Sequence, residues 1–156
     1  FKGVAGGKDI TLIEAKEPNH RLHIFEGFPD FLTALHLLPE TMNPENENFL
    51  VLNGATLIER AKAVIENGRY STLILWLQND PTGEKIEPFF LNLPEELPQV
   101  KEVGSMSHLY QGEKDLNLWF VKNKDLPQIN HEVIKSMDWH KIGVASHDLF
   151  NKPKPM

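Results

Sequence analysis

Three carboxylates, Glu26, Asp80 and Asp115, stand beyond apolar runs of this chain. Acids so placed can ligate a hard divalent cation or move protons in phosphoryl chemistry. Glu26 lies in Phe25-Glu26-Gly27-Phe28-Pro29-Asp30, where Gly27 leaves the backbone approachable. Asp80 lies in Leu77-Gln78-Asn79-Asp80-Pro81-Thr82-Gly83, and Asp115 in Lys114-Asp115-Leu116-Asn117. Plainer roles compete at each position. Glu26 can be a solvated strand-end acid, and Asp80 and Asp115 are good helix N-caps. Pro81 suits the first helical position. A helix N-terminus also attracts phosphate, so capping and binding can coexist at Asp80. Asp30 fits a capping or orienting role in the Glu26 turn.

The flanking elements follow from pattern. Strands are expected at Ile10–Ile13, Leu22–Phe25, Phe49–Leu52, Thr72–Leu77 and Val100–Val103. Helices are expected at Phe31–Leu38, Leu57–Ile65, Glu84–Leu93 and Leu116–Phe120, with Asn67-Gly68 as a C-cap pair and Pro88 a breaker in the third. Residues 42–48 read as a polar loop. Strands alternating with helices over residues 22–103 imply an α/β fold: a parallel sheet covered on both faces. In such sheets reactive groups gather at the carboxyl ends of strands, where Glu26 and the 78–80 turn fall.

Composition narrows the classes. A chain of 156 residues suits one domain with a real core, and 40% hydrophobic content is ordinary. No apolar run approaches the roughly 20 residues of a membrane span. The absence of cysteine excludes disulfides and thiolate zinc sites within the chain and fits a reducing, cytoplasmic setting. The net charge is -6, concentrated in residues 1–100, which hold 8 Lys/Arg against 15 Asp/Glu. Such a body repels a nucleic-acid backbone unless metal ions or another domain intervene. The chain starts at Phe1-Lys2-Gly3 and reads as a fragment of a longer protein, with residues 126–156 as a C-terminal extension ending in Lys152-Pro153-Lys154-Pro155.

Other signals lead nowhere. Gly3 to Asp9 has a phosphate-loop look, but its glycines are too close and Asp9 replaces the hydroxyl residue. The seven histidines lack metal-ligand spacing. Trp76 and Trp119 sit in apolar runs and read as core.

Glu26-Gly27 through Asp30, Leu52-Asn53-Gly54-Ala55-Thr56 and Leu75 to Gly83 together resemble the toprim domain of the bacterial primase type. That module is shared by primases, type IA and II topoisomerases and several nucleases. Ser107-His108-Leu109-Tyr110 with Lys114–Asn117 looks like its closing segment in primase-like proteins of mobile elements. Phe1-Lys2-Gly3 and Lys8–Thr11 look like the lead-in. The resemblance covers about residues 1–125.

It implies a Rossmann-like core with four central parallel strands flanked by helices. Glu26 would be the catalytic acid/base and metal-facing residue. Asp80 and Asp115 would hold Mg²⁺ or Mn²⁺ with it. Gly27, Asn53, Gly54, Gly83 and Lys85 would face nucleic acid or phosphate. The implied partners are single-stranded DNA, with another domain's help, and replication or mobilisation proteins. Gln78 departs from the family, standing where the first aspartate of the paired motif belongs. It offers a neutral oxygen and no charge, which weakens a hard-cation site and two-metal chemistry. Three readings follow: a primase-like enzyme or, secondarily, a metal-dependent nuclease; a weakened toprim module for binding; and a generic α/β domain whose acids cap helices.

Overall fold

The computed structural model describes residues 8–17 and 19–123. Phe1-Lys2-Gly3 of the expected lead-in and the extension over 126–156 lie outside them. The elements are β1 (Thr11–Ile13), β2 (Arg21–Phe25), α1 (Phe28–Leu37), β3 (Asn48–Val51), α2 (Ile58–Asn67), β4 (Thr72–Trp76), α3 (Pro81–Leu91), α4 (Leu93–Glu96), β5 (Glu102–Ser105) and α5 (Leu116–Asn123). Short 3₁₀ turns at Ala55–Leu57 and Ser107–Tyr110 precede α2 and α5.

The strands form one sheet in the order β1-β3-β2-β4-β5. β3, β2, β4 and β5 are mutually parallel, while β1 closes one edge antiparallel to β3. This is an α/β protein with a mostly parallel sheet, an arrangement compatible with Rossmann-like folds.

Strand alternation divides the core into two layers. Leu22 and Ile24 of β2, Leu50 of β3 and Leu73 and Leu75 of β4 pack with Ala61 and Ile65 of α2 and Ile86 and Phe90 of α3. Phe25, Phe49, Val51, Ile74 and Trp76 point the other way, against Phe31 and Ala34 of α1 and Leu116 of α5. Burial on both faces explains why β2 to β4 read as continuous apolar runs rather than alternating ones. Trp76 stacks on Phe25 with ring centroids 5.5 Å apart. Among the described residues no helix is long and apolar enough to cross a membrane.

The last strand and the third helix depart from their expected bounds. The last strand begins at Glu102, not Val100, and runs through Gly104-Ser105, which lack strand-forming side chains. Pairing with β4, Thr72 opposite Glu102 through Leu75 opposite Ser105, decides the register over propensity. Val100 is still buried, so it marks core but not strand. α3 starts three residues early, at Pro81, and continues through Pro88. Ile86 and Phe90, buried on either side, hold it against the sheet. Gly68 does occupy the C-cap of α2, but with φ -91. What requires glycine there is space: a Cβ would lie 2.3 Å from the Tyr70 ring.

Candidate functional site

The sheet order reverses between β2 and β4: the chain moves from β2 outward to β3, then crosses to β4 on the opposite side. Phe25 and Trp76 are register partners at the carboxyl ends of these strands. The crevice beyond such a reversal is where open α/β sheets present their ligand sites. Glu26 and the Gln78–Asp80 turn are the next residues along each strand, so both expected segments meet there.

Glu26 is 8% exposed, and its Oε2 accepts the Gln78 backbone N–H at 2.6 Å. Burial raises its pKa, the Gln78 N–H opposes that, and the charges of Asp80 and Asp115 raise it while Lys114 lowers it. Asp30 is 3% exposed and its carboxyl is pushed up to about 6. Burial is the main cause, with Asp115 and Glu26 adding to it. A bond from the Asn117 N–H, 3.0 Å from Oδ1, and hydrogen bonding from the Gln78 side chain act in the other direction. Asp30 therefore fastens the start of α5 to α1, a tie reinforced by Thr33 Oγ1, 3.0 Å from Asn117 Oδ1.

Asp80 caps α3, its Oδ1 accepting the Gly83 N–H at 2.8 Å. Gly83 packs so tightly on Gln78 that a Cβ would stand 1.9 Å from the Gln78 carbonyl oxygen. Asp115 accepts the Leu118 N–H at 2.7 Å at the start of α5. The capping roles of Asp80 and Asp115 are thus present, and each leaves its other carboxylate oxygen. Lys114 Nζ lies 3.9 Å from Asp80 Oδ2.

Asn79, which carried no role in the sequence reading, joins the two sides of the site. Its Nδ2 lies 3.0, 3.3 and 3.2 Å from the carbonyls of Ser107, Tyr110 and Glu113. Its backbone N–H donates to the Lys114 carbonyl at 2.6 Å. Tyr110 adds a bond from its hydroxyl to the Leu77 carbonyl at 2.7 Å. The segment between β5 and α5 is stitched to the end of β4, which brings Lys114 and Asp115 to Glu26.

The remaining expected residues are more scattered. Gly27 is the N-cap of α1 with extended backbone, and a Cβ there would meet only ordinary contact with Pro29. Asn53 adopts a left-handed φ of 57 beyond β3, and its amide donates to the Asp9 carbonyl and to Thr11, fixing β1. Gly54 follows with φ 148. Lys85 is exposed on α3.

A second polar cluster lies at the other end of β2. Glu47 accepts from Arg21, whose Nε lies 3.1 Å from Oε2. The same oxygen is 3.3 Å from Nε2 of His23, and Trp76 Nε1 donates to His23 Nδ1 at 3.2 Å. This arrangement selects the neutral imidazole with its proton on Nε2. Burial lowers the His23 pKa despite Glu47. Bonds from His23 and Arg21 outweigh burial at Glu47 and lower its pKa. A histidine inside an apolar strand was the available signal; Glu47, in a polar loop, offered none.

The implied Mg²⁺ or Mn²⁺ can be tested against these donors. Asp80 and Asp115 act on Glu26, but each of the three holds a backbone amide. Among the described residues no three His, Asp or Glu side chains are grouped to hold a metal ion. The set is not a ready cage. No family model matches this chain, and no curated protein or solved structure is similar to it.

Proposed function

We propose that this chain is a toprim-type, primase-like nucleic-acid-processing domain whose switch-point acids serve phosphodiester chemistry with Mg²⁺ or Mn²⁺ in DNA replication or mobilisation. The reading rests on the resemblance of the Glu26 and Gln78–Gly83 segments. The single observation supporting it is that both segments fall at the β2/β4 reversal, where an α/β sheet offers its ligand crevice. In this reading Glu26 is the proton-handling residue, since burial favours its protonated form. Asp80 and Asp115 would turn their second oxygens to the cation. Single-stranded DNA is the proposed partner, held with help from another domain because this body is acidic, in a cytoplasmic setting.

A weakened binding module is the second reading. What favours it is that all three acids are committed to backbone amides, with Gln78 supplying no fourth.

Manganese titration followed by amide line broadening tests the metal site. Broadening should centre on Gly27 and on residues 78–83 and be lost in Glu26→Ala and Asp80→Ala. Uniform weak broadening, unchanged by either substitution, sinks the metal reading. Primer synthesis on single-stranded DNA with nucleotides and Mn²⁺, scored for cleavage in the same tubes, then separates polymerase, nuclease and binding-only roles.

A further inference from the structure

Helix α5 carries Leu116, Leu118, Trp119, Phe120 and Val121 within eight residues, so apolar side chains point to every side of it. A helix of that kind is one that is covered all round. Its inner side is covered: Leu116 is buried, and Asn117 is tied to Asp30 and Thr33 of α1. Among the described residues its outer side is not, since Val121 is 50% exposed. The bare surface continues onto α1, where Phe28 and Leu32, one turn apart, are 39% and 57% exposed. His36, a further turn on, meets the Phe120 ring edge-on with centroids 5.3 Å apart and joins the two helices. One apolar stripe thus runs from Phe28, beside the Glu26-Gly27 turn, to Val121.

α1 and α5 run in the same direction, because Asp30 and Thr33 meet Asn117 while His36 meets Phe120. The chain therefore leaves α5 at the His36 end of the stripe and goes on from residue 124 to 156. In that stretch Leu126, Ile129, Val133 and Met137 recur three and four residues apart, the spacing of one helical face. Gln128, His131, Glu132 and Lys135 stand between them. We propose that residues 126–137 are the cover of the stripe. The segment turns back after α5 and crosses α1 in the opposite direction, with Val133 over Leu32 and Met137 over Phe28. α1 has ten residues and is about 15 Å long, a length the segment matches. A tether this short holds the segment at an effective concentration in the millimolar range, well above that of a separate partner. The inference is independent of any metal at the β2/β4 crevice, although Met137 would stand at its rim.

The chain has no cysteine, so engineered pairs report the contact without background. In the full-length protein, Leu32→Cys with Val133→Cys should form an intramolecular disulfide at least about tenfold faster than Leu91→Cys with Val133→Cys. Leu91 is the matched control, an exposed leucine on α3, across the sheet from α1. Phe28→Cys should close with Met137→Cys and not with Leu126→Cys. Adding Leu32→Asp, at an exposed position, should slow the Phe28–Met137 closure toward the control rate. Equal rates for the Leu32 and Leu91 pairs overturn the docking. Faster closure of the Phe28–Leu126 pair than of the Phe28–Met137 pair overturns the antiparallel crossing. Disulfide-linked dimers whose yield rises with protein concentration would make a second copy the cover, and overturn the proposal as well.

Discussion

The backbone N–H of Gln78 donates to Oε2 of Glu26 at 2.6 Å, joining the ends of two adjacent parallel strands through a side chain. Gln78 therefore acts on both buried acids of the site, on Glu26 through its main chain and on Asp30 through its side chain. A neutral amide at this position supports a carboxylate that an aspartate would repel.

Gln78→Asp should consequently lower stability at neutral pH in the absence of metal, by about 1–2 kcal/mol, through lost hydrogen bonding and like charge. Added Mn²⁺ should recover that loss if the new carboxylate completes a cation site, since ligands stabilise the state they bind. Thermal melts of both proteins with and without Mn²⁺ decide it. A variant as stable as wild type in metal-free buffer would contradict the role assigned to Gln78.

The two glycines of the resembling motifs differ in kind. Gly83→Ala should destabilise by at least about 1–3 kcal/mol, because the new methyl meets the Gln78 backbone at 1.9 Å and backbone cannot swing aside. Gly27→Ala should be tolerated within about 1 kcal/mol, its nearest contact being 3.6 Å. Urea unfolding of the pair measures the contrast. If Gly27→Ala nonetheless abolishes ligand binding while folding normally, Gly27 serves close approach and not architecture.

Asp30 sets a pH dependence of unusual sign. Its carboxyl is raised to about 6, so the folded protein holds a proton that the unfolded chain releases near pH 4. Stability from this group is full below about pH 4 and lost as pH rises through about 6, a change on the order of 2–3 kcal/mol. Asp30→Asn should remove that slope and be the more stable protein at pH 7. Unfolding free energies of the two proteins between pH 4 and 8 should converge at the acidic end. Parallel curves would show that Asp30 does not titrate this way.

The cluster around Glu47 works in the opposite direction. The folded state resists protonating His23, so stability falls as pH drops below about 6.5, and Glu47 adds loss as pH falls through its own lowered value. His23→Gln should flatten the part of the profile just below about pH 6.5. Glu47→Ala, which strips Arg21 and His23 of their buried partner, should cost about 3–5 kcal/mol. A loss under 1 kcal/mol by denaturant titration would mean that the pair is structurally idle.

Much of this architecture could be read from residue order, for a physical reason. Thr72 to Leu77 is apolar because both faces of β4 are buried, and a turn must follow where a strand meets the sheet edge. Hence Glu26 and Asp80 were found at strand ends. The convergence of Lys114 with Asp80 was not legible, since it depends on Asn79 gripping three carbonyls more than 25 residues away. Glu47 escaped for a related reason: nothing in a run of Asn and Glu distinguishes the one whose partners bury it. Local pattern reports which face a residue needs, whereas long-range hydrogen bonds are fixed by the assembled chain.

The contact of Gly83 with Gln78 leaves the site with one unyielding wall. No atom can slip between the start of α3 and the end of β4, so that side cannot adjust to what arrives. The opposite wall, carrying Lys114, is tied to the end of β4 by Asn79 and the Tyr110 hydroxyl and to α1 by Asp30 and Thr33. The two walls are thus held differently, the first by direct backbone packing and the second by side-chain hydrogen bonds from several elements. A side chain added at Gly83 therefore acts on the backbone itself, whereas a change in the second wall acts first on hydrogen bonds.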